Sequence, residues 1–513
     1  AIHRIPELEQ TGVKMLINGP ESFTPDDRFL LGESPELRGF FLGCGMCSVG
    51  IASGGGAGQA LAEWIIDGEP SMDLWSVDIR RFVPAQNTLR TLRERSPETL
   101  SLHYAVSFPG RQHKSSRNLR LSPLHSRLES AGAEFTERMG WERPRWFNPE
   151  RRKIDPELSF EKPGWHSIHA EEHRSARESV VLFDQSTFGK LLVQGSDAES
   201  VLQRLCANDI SKAHRRVIYT GMLNQRGCYE SDLTLMRLDE ENFLLVTGTG
   251  QPVRDRDWIR RNIKPEEHVT VTDMTGAYAV ISIAGPKSRE LMNRVSSDNF
   301  SNSGFPYYTH RAVEVGPVMV RAARLSYIGE LGWELYIPSE SALPVFDVLL
   351  KAGENLGLKL AGVEALSSLR IEKGYCAWGL EIGPDDTPLQ AGLEFAVKFE
   401  KPDWFIGREA LIQQKAEGVF RRLAMLTVSD SEAFPHGGEP IWWNNKLVGR
   451  TTSGTFGHTL GCAVMMGYIG SVDTKIDTML NTGIFEVEIA CRHFPAQVSL
   501  DAPYDPKGLA SRK

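Results

Sequence analysis

The chain reads as a multidomain protein of mixed α+β and α/β character, and three observations predict it. At 513 residues and 57.2 kDa it is too long for one ordinary core and divides into about three domains. Glycine-rich turns leading into a helix occupy the first 85 residues. Apolar runs broken by turn residues recur at 219–238 and 324–338 and again from about 410 to 505, with helical stretches between. A hydrophobic share of 41% with 24% charged residues belongs to globular rather than disordered protein. A formal net charge of -8 argues against nucleic acid as the main partner. No apolar run reaches the roughly 18 residues that a membrane span needs. Seven cysteines, an odd number thinly spread, point to a reducing compartment.

In residues 1–85, Phe40 to Leu42 reads as a strand. Loops holding Gly43, Gly45, Gly50, Gly54, Gly55, Gly56 and Gly58 follow, and then a helix from about Gln59 to Ile66. Glycine lets a backbone approach a ligand closely, and a helix N-terminus favours negative charge. Cys44 and Cys47 have CxxC spacing but no second pair, so zinc or redox chemistry is not expected there. No HExxH or comparable ligand cluster is legible among the 13 histidines, and no metal is expected. The chain opens on Ala1 with AIHRIPELEQTG, which reads as neither a signal nor a transit sequence; a processed or partial chain is expected.

Residues 86–164 read as a charged connector. Arg and Lys are dense from Arg111 to Arg120, and the aromatic segment Gly140 to Pro149 reads as a packed anchor in a solvated linker. Over 165–405 the pattern predicts a helix at His173–Glu178, strands at Val181–Phe183 and Lys190–Val193, and a helix at Asp197–Leu205. Arg370 and Glu372 lie two apart, on one face of an extended segment, as an ion pair would require. Trp378 reads either as core or as a cavity wall. Residues 406–505 alternate like strands, with Asn444-Asn445 as a hairpin turn, and the polar tail 506–513 is expected to fray.

Two segments carry the functional reading. Tyr219 to Leu238 reads as strand, turn, strand, reversing at Asn224-Gln225-Arg226-Gly227. Arg324 to Pro338 has Gly329 and Gly332 in a turn between Tyr327 and Glu334. Asp232 and Glu334 interrupt these runs where apolar residues would be easier to bury. A buried carboxylate needs partners, so each is either paired within the protein or aimed at a ligand.

These segments resemble the folate-binding aminomethyltransferases, the T-proteins of glycine cleavage. Tyr219 with Asp232 thirteen residues on, and Tyr327 with Glu334 seven on, keep that family's two spacings. The family's paired aspartates appear here as Ser231-Asp232. The resemblance implies a tetrahydrofolate site. Glu334 would accept the pterin's amide N–H and amino group together, and Tyr327 would stack on the ring. Asp232 would act beside N5 and N10 as the catalytic group, with Tyr219 either a further contact or a half-buried strand tyrosine. Arg370 is either a structural ion pair or a contact to the glutamyl tail.

The stretch Asn18 to Asp26, followed by GGGAGQALAEWI, resembles the C-terminal end of the flavin domain in the sarcosine and dimethylglycine dehydrogenases. In that family the loop, here Gly54, Gly55 and Gly56, lies over the flavin ring. Their N-terminal GxGxxG, which would hold the FAD diphosphate, is not in this chain. The connector SRNLRLSPLHSRLESAGAEFTERMGWERPRWFNPE resembles sarcosine dehydrogenase more than dimethylglycine dehydrogenase and is also similar to the pyruvate dehydrogenase phosphatase regulatory subunit.

The resemblance implies an FAD-binding remnant, an aminomethyltransferase body and a C-terminal small β-barrel. The implied activity is oxidative N-demethylation of sarcosine or dimethylglycine, with FAD and tetrahydrofolate as cofactors, giving 5,10-methylenetetrahydrofolate. The flavin half-reaction is expected to be incomplete in this chain. An electron-transfer flavoprotein would be the electron acceptor, in the mitochondrial matrix of a eukaryote or the cytoplasm of a bacterium. Under the alternative, a non-catalytic regulatory subunit, the partner would be a phosphatase catalytic subunit. A free-standing aminomethyltransferase is a third reading.

Overall fold

The computed structural model describes residues 2–154, 158–211, 215–471 and 473–513. Two antiparallel sheets form its centre. One runs in the order Thr270–Asp273, Gly189–Gln194, Asn242–Thr247, Tyr229–Arg237, Val217–Leu223. The other runs His310–Val315, Val318–Ala323, Gly332–Pro338, Tyr278–Ala284, Val181–Asp184, and ends in the short parallel strand Lys359–Leu360.

Period-two alternation sorts the residues of each strand. On Tyr229–Arg237, Leu233 and Leu235 bury with Leu191, Val193 and Ile259 on the outer face. Met236 points the other way, into a layer with Val246, Val280 and Tyr336 between the sheets. On Gly332–Pro338, Trp333, Leu335 and Ile337 join the largest core. The same parity places Asp232 and Glu334 on the faces that the two sheets turn toward each other.

The expected hairpin at 219–238 forms. Gly221 lies opposite Asp232, and the chain reverses at Asn224, whose carbonyl accepts from Gly227 N–H at 3.0 Å. Gly227 sits at φ +75, where its lack of a side chain matters. The second segment differs from its reading. Gly332 begins a strand rather than sharing a turn, because that strand pairs with Val318–Ala323 (Ala323 opposite Glu334). Arg324 to Leu331 is the intervening loop, and it carries Tyr327.

The C-terminal strands close into a six-stranded barrel in the order Arg421–Val428, Cys462–Gly470, Lys446–Gly457, Pro440–Trp443, Phe485–Ile489, Arg492–Ser499. Closure removes free edges. Asn444 and Asn445, at φ +47 and +61, make the expected tight turn.

Three expectations are corrected. The glycines from Gly50 to Gly58 belong to one helix, Gly50–Asp67, rather than to loops. Ala57, Ala60 and Trp64, spaced three and four apart, bury their side of it and override the poor helix propensity of glycine. The connector is structured, with a helix at Leu89–Leu102 and a hairpin of Ala133–Arg138 with Trp141–Phe147. Leu124, Leu128 and Phe147 belong to the largest core. Trp146 stacks on Trp165 with ring centroids 5.0 Å apart, which is the packed anchor. The tail does not fray. Tyr504 lies 3.7 Å under the Arg177 guanidinium, Lys373 pairs with Asp505 at 3.1 Å, and the Lys513 carbonyl accepts from Arg324 at 3.0 Å. Among the described residues no helix is long and apolar enough to cross a membrane.

Candidate functional site

Where the inter-sheet apolar layer ends, a cavity of about 330 Å³ opens, near the lower end of the usual size for a small-molecule site. Asp232, Tyr219, Tyr327 and Glu334 all line it, although they come from three strands and a loop. Trp378 forms part of the wall, and Trp75 joins from the N-terminal region. These two indoles meet edge to face at 5.0 Å.

Burial sets the charge state of the carboxyls. Desolvation pushes Asp232 up to about 6, although hydrogen bonds from Tyr219 and Gln251 oppose it. The Tyr219 hydroxyl donates to Asp232 Oδ2 at 3.1 Å. Glu334 is only 4% exposed, and desolvation pushes it up to about 7. Its Oε2 accepts from the Tyr336 hydroxyl at 2.6 Å, while Oε1 has no hydrogen-bond partner among the described residues. Tyr327 donates its hydroxyl to the Cys376 carbonyl at 2.7 Å, which fixes the ring at the cavity wall.

Two cavity residues escaped the sequence reading. Arg138 and Arg143, from the hairpin in the supposed linker, both line the cavity. Neither guanidinium is hydrogen-bonded or ion-paired among the described residues. Burial lowers Arg143 to about 10, with Arg138 adding repulsion, while Arg138 itself is exposed at the end of its strand. A half-buried cation without a counter-ion, with a second guanidinium beside it, favours an anionic guest. Only the crowding of Arg with Trp in ERPRW hinted at this, and such a pattern also suits an exposed strand.

Arg370 is placed differently from its reading. Val363–Glu372 is a helix, so Arg370 and Glu372 do not share a face. Arg370 is buried, pairing with Glu381 at 2.7 Å and donating to Ser453 at 2.7 Å. It does not line the cavity, and its role is that of an internal ion pair with a different partner. Glu372 pairs instead with Arg177 at 3.0 Å.

The expected flavin loop also differs. Gly54, Gly55 and Gly56 lie exposed on their helix, and a Cβ on any of them would meet nothing within 4 Å. They are helical rather than a loop, and no step is derived through FAD. The expectation of no metal-ligand cluster is corrected as well: His166, His169 and His458 come together, and the spacing of 289 residues between the last two hid this.

The GCVT N-terminal domain family matches residues 124–401, more than half of the chain. The FAD dependent oxidoreductase central domain matches 67–122, and the glycine cleavage T-protein C-terminal barrel domain matches 421–505. Mitochondrial sarcosine dehydrogenase of Mus musculus is 40% identical over 99% of this chain and 59% of its own length. The mitochondrial pyruvate dehydrogenase phosphatase regulatory subunit of Mus musculus is 36% identical over 97% of this chain and 59% of its own length. The chain thus spans about three-fifths of these relatives. A crystal structure of glycine cleavage system aminomethyltransferase T from Bartonella henselae superposes with a TM-score of 0.63. It covers 75% of this chain and 98% of that one, and at 24% identity it speaks for the fold. The chain belongs to the GCVT N-terminal domain family, with a segment matching the FAD dependent oxidoreductase central domain before that body and the glycine cleavage T-protein C-terminal barrel domain after it.

Proposed function

We propose that the cavity binds tetrahydrofolate and captures the one-carbon unit released by oxidative demethylation of sarcosine or a related N-methyl amine. The observation that carries this reading is the meeting of Asp232 and Glu334 in one cavity, both with pKa values raised by burial toward neutrality. Glu334, anchored through Oε2 by Tyr336, offers Oε1 to the pterin's paired donors. Tyr327 supplies a fixed aromatic face. Arg138 and Arg143 suit the carboxylates of the glutamyl tail.

Asp232 handles protons. With a pKa of about 6 it is largely ionised at neutral pH yet able to hold a proton during turnover. As formaldehyde meets the two amines, two C–N bonds form and the carbonyl oxygen leaves as water. Asp232 takes a proton from the attacking amine and returns it to the departing oxygen. Tyr219 steadies the carboxylate by donating to Oδ2.

The amine oxidation itself, an FAD cofactor, an electron-transfer flavoprotein as acceptor and a mitochondrial location are part of the same proposal; they rest on the similarity to mitochondrial sarcosine dehydrogenase and on the match to the FAD dependent oxidoreductase central domain. A second reading, binding without turnover on a phosphatase partner, is supported by the 36% identity to the regulatory subunit.

Calorimetric titration of the chain with tetrahydrofolate separates the two. Binding is expected, and Glu334→Ala should weaken it by roughly 2–5 kcal/mol, because a desolvated charge-assisted pair is broken. Asp232→Asn should bind nearly normally but fail to speed formaldehyde capture. Binding without any acceleration of capture by the unmodified chain would transfer preference to the regulatory reading.

A further inference from the structure

The first turns of helix His166–Glu178 face the turn after barrel strand Lys446–Gly457, and histidines from both sides converge there. One ring nitrogen each from His166, His169 and His458 lies within 4.8 Å of the others. His458 Nε2 and His169 Nδ1 are already 3.2 Å apart. Two nitrogens bound tetrahedrally at 2.0–2.1 Å to one zinc ion would be about 3.3 Å apart.

The surrounding hydrogen bonds fix which nitrogens are free. Glu372 stays ionised, at about 2: burial raises it, but His173, Thr459 and Arg177 outweigh that. An ionised carboxylate only accepts, so His173 carries its proton on Nε2, 3.2 Å from Glu372 Oε2 and 2.8 Å from Thr459 Oγ1. His173 Nδ1 then accepts from the Ser368 hydroxyl at 2.8 Å, a nearer acceptor than the Ala365 carbonyl at 3.1 Å. The Ser368 oxygen in turn accepts from His169 Nε2–H at 2.7 Å. His169 Nδ1 is left as an acceptor, its lone pair directed toward His458 Nε2 at 3.2 Å. His166 Nδ1 is buried with no hydrogen-bond partner among the described residues. This is the carboxylate–histidine ordering that aligns metal-binding imidazoles.

We propose that His166, His169 and His458 bind one divalent cation of the zinc class and thereby clamp the barrel to the folate-type body. Three imidazole ligands select zinc, cobalt or nickel over calcium or magnesium, and they leave a fourth position for water. Phe434 and Phe456 pack on His166 and screen the site. The Lys162 ammonium lies over the Phe456 ring, 5.8 Å from its centroid.

The test uses the full chain, stripped with chelator and titrated with Zn²⁺ and with Co²⁺. One equivalent should bind, raise the unfolding temperature, and give a tetrahedral cobalt spectrum without the thiolate charge-transfer band that Cys44 or Cys491 would produce. His166→Ala and His458→Ala should each weaken binding about 100-fold or more, and Ser368→Ala about 10- to 100-fold through loss of alignment. His268→Ala, on the surface, should bind like the unmodified chain. Circular dichroism checks folding, and His166→Gln replaces any variant that fails it. Absence of a binding equivalent, or an equivalent unmoved by His166→Gln, would leave the cluster as neutral packing only and overturn the proposal.

Discussion

Glu334 carries a conflict that its neighbours leave unresolved in the free protein: a carboxyl buried to 4% exposure with a single hydroxyl donor. Its pKa in the fold, about 7, exceeds the ordinary value of 4.5. Between these values the folded state binds more protons than the unfolded one, so stability falls as pH rises through that window. Glu334→Gln keeps the shape and removes the charge. Above pH 7 it should raise the stability of the free chain, by as much as about 3 kcal/mol, and below pH 4 it should change little. Chemical denaturation at pH 4 and pH 8 checks this, and equal effects at both would mean that the carboxyl is solvated. The same variant should lose affinity for tetrahydrofolate, since site and stability make opposite demands of one group. Asp232 differs because its charged form does the work. The rate of formaldehyde capture should rise with pH through about 6 and then level, while Asp232→Asn should show a flat profile.

At the level of elements, the hairpin Ala133–Arg138 with Trp141–Phe147 has the clearest double role. Trp146 is 8% exposed, stacked on Trp165 and capped by the Arg145 guanidinium 4.5 Å from its ring. Trp146→Ala should cost about 3–5 kcal/mol in a denaturant titration and loosen folate binding, because Arg138 and Arg143 ride on the same two strands. A stability loss without any change in affinity would mean that these arginines do not hold the guest. This hairpin also marks how far the sequence could be read. Strand alternation and turn residues are local patterns, and they located the strand Tyr229–Arg237 and the barrel turn at Asn444-Asn445, while the resemblance of the Tyr–Asp and Tyr–Glu spacings to the aminomethyltransferases picked out Tyr219, Asp232, Tyr327 and Glu334. Arg143 and the tail residue Tyr504 take their roles from packing across long sequence separations, which no local pattern encodes. Arg370 was misplaced because a two-residue spacing means one face in a strand but different faces in the helix that formed. The Gly54 to Gly56 run was read as a loop on propensity, and the tertiary burial of Ala57, Ala60 and Trp64 prevailed.

Across the whole molecule, the N-terminal region is joined to the folate-type body through buried charge. Asp78 pairs with Arg80 at 2.6 Å and with Arg254 of the body at 3.4 Å. Arg80 reaches Asp257 at 3.2 Å, and Arg254 also pairs with Glu230. Burial alone would raise Asp78, but Arg80 and Arg254 outweigh it and hold the carboxyl below its ordinary range. The Arg254 guanidinium lies 5.5 Å from the Trp75 ring and 5.1 Å from the Trp378 ring, and both indoles line the cavity. One seam therefore fastens the two regions and shapes the wall of the site. Asp78→Ala leaves two buried guanidinium groups short of an anion, a loss that typically costs 3–5 kcal/mol. Hydrogen exchange should quicken first in the strand Leu30–Glu33 and the helix Gly50–Asp67, ahead of the two central sheets. If Trp75 is a working part of the wall, tetrahydrofolate affinity should fall together with that protection. Exchange that quickens while affinity holds would assign the whole folate site to the body, with the N-terminal region attached beside it rather than completing it.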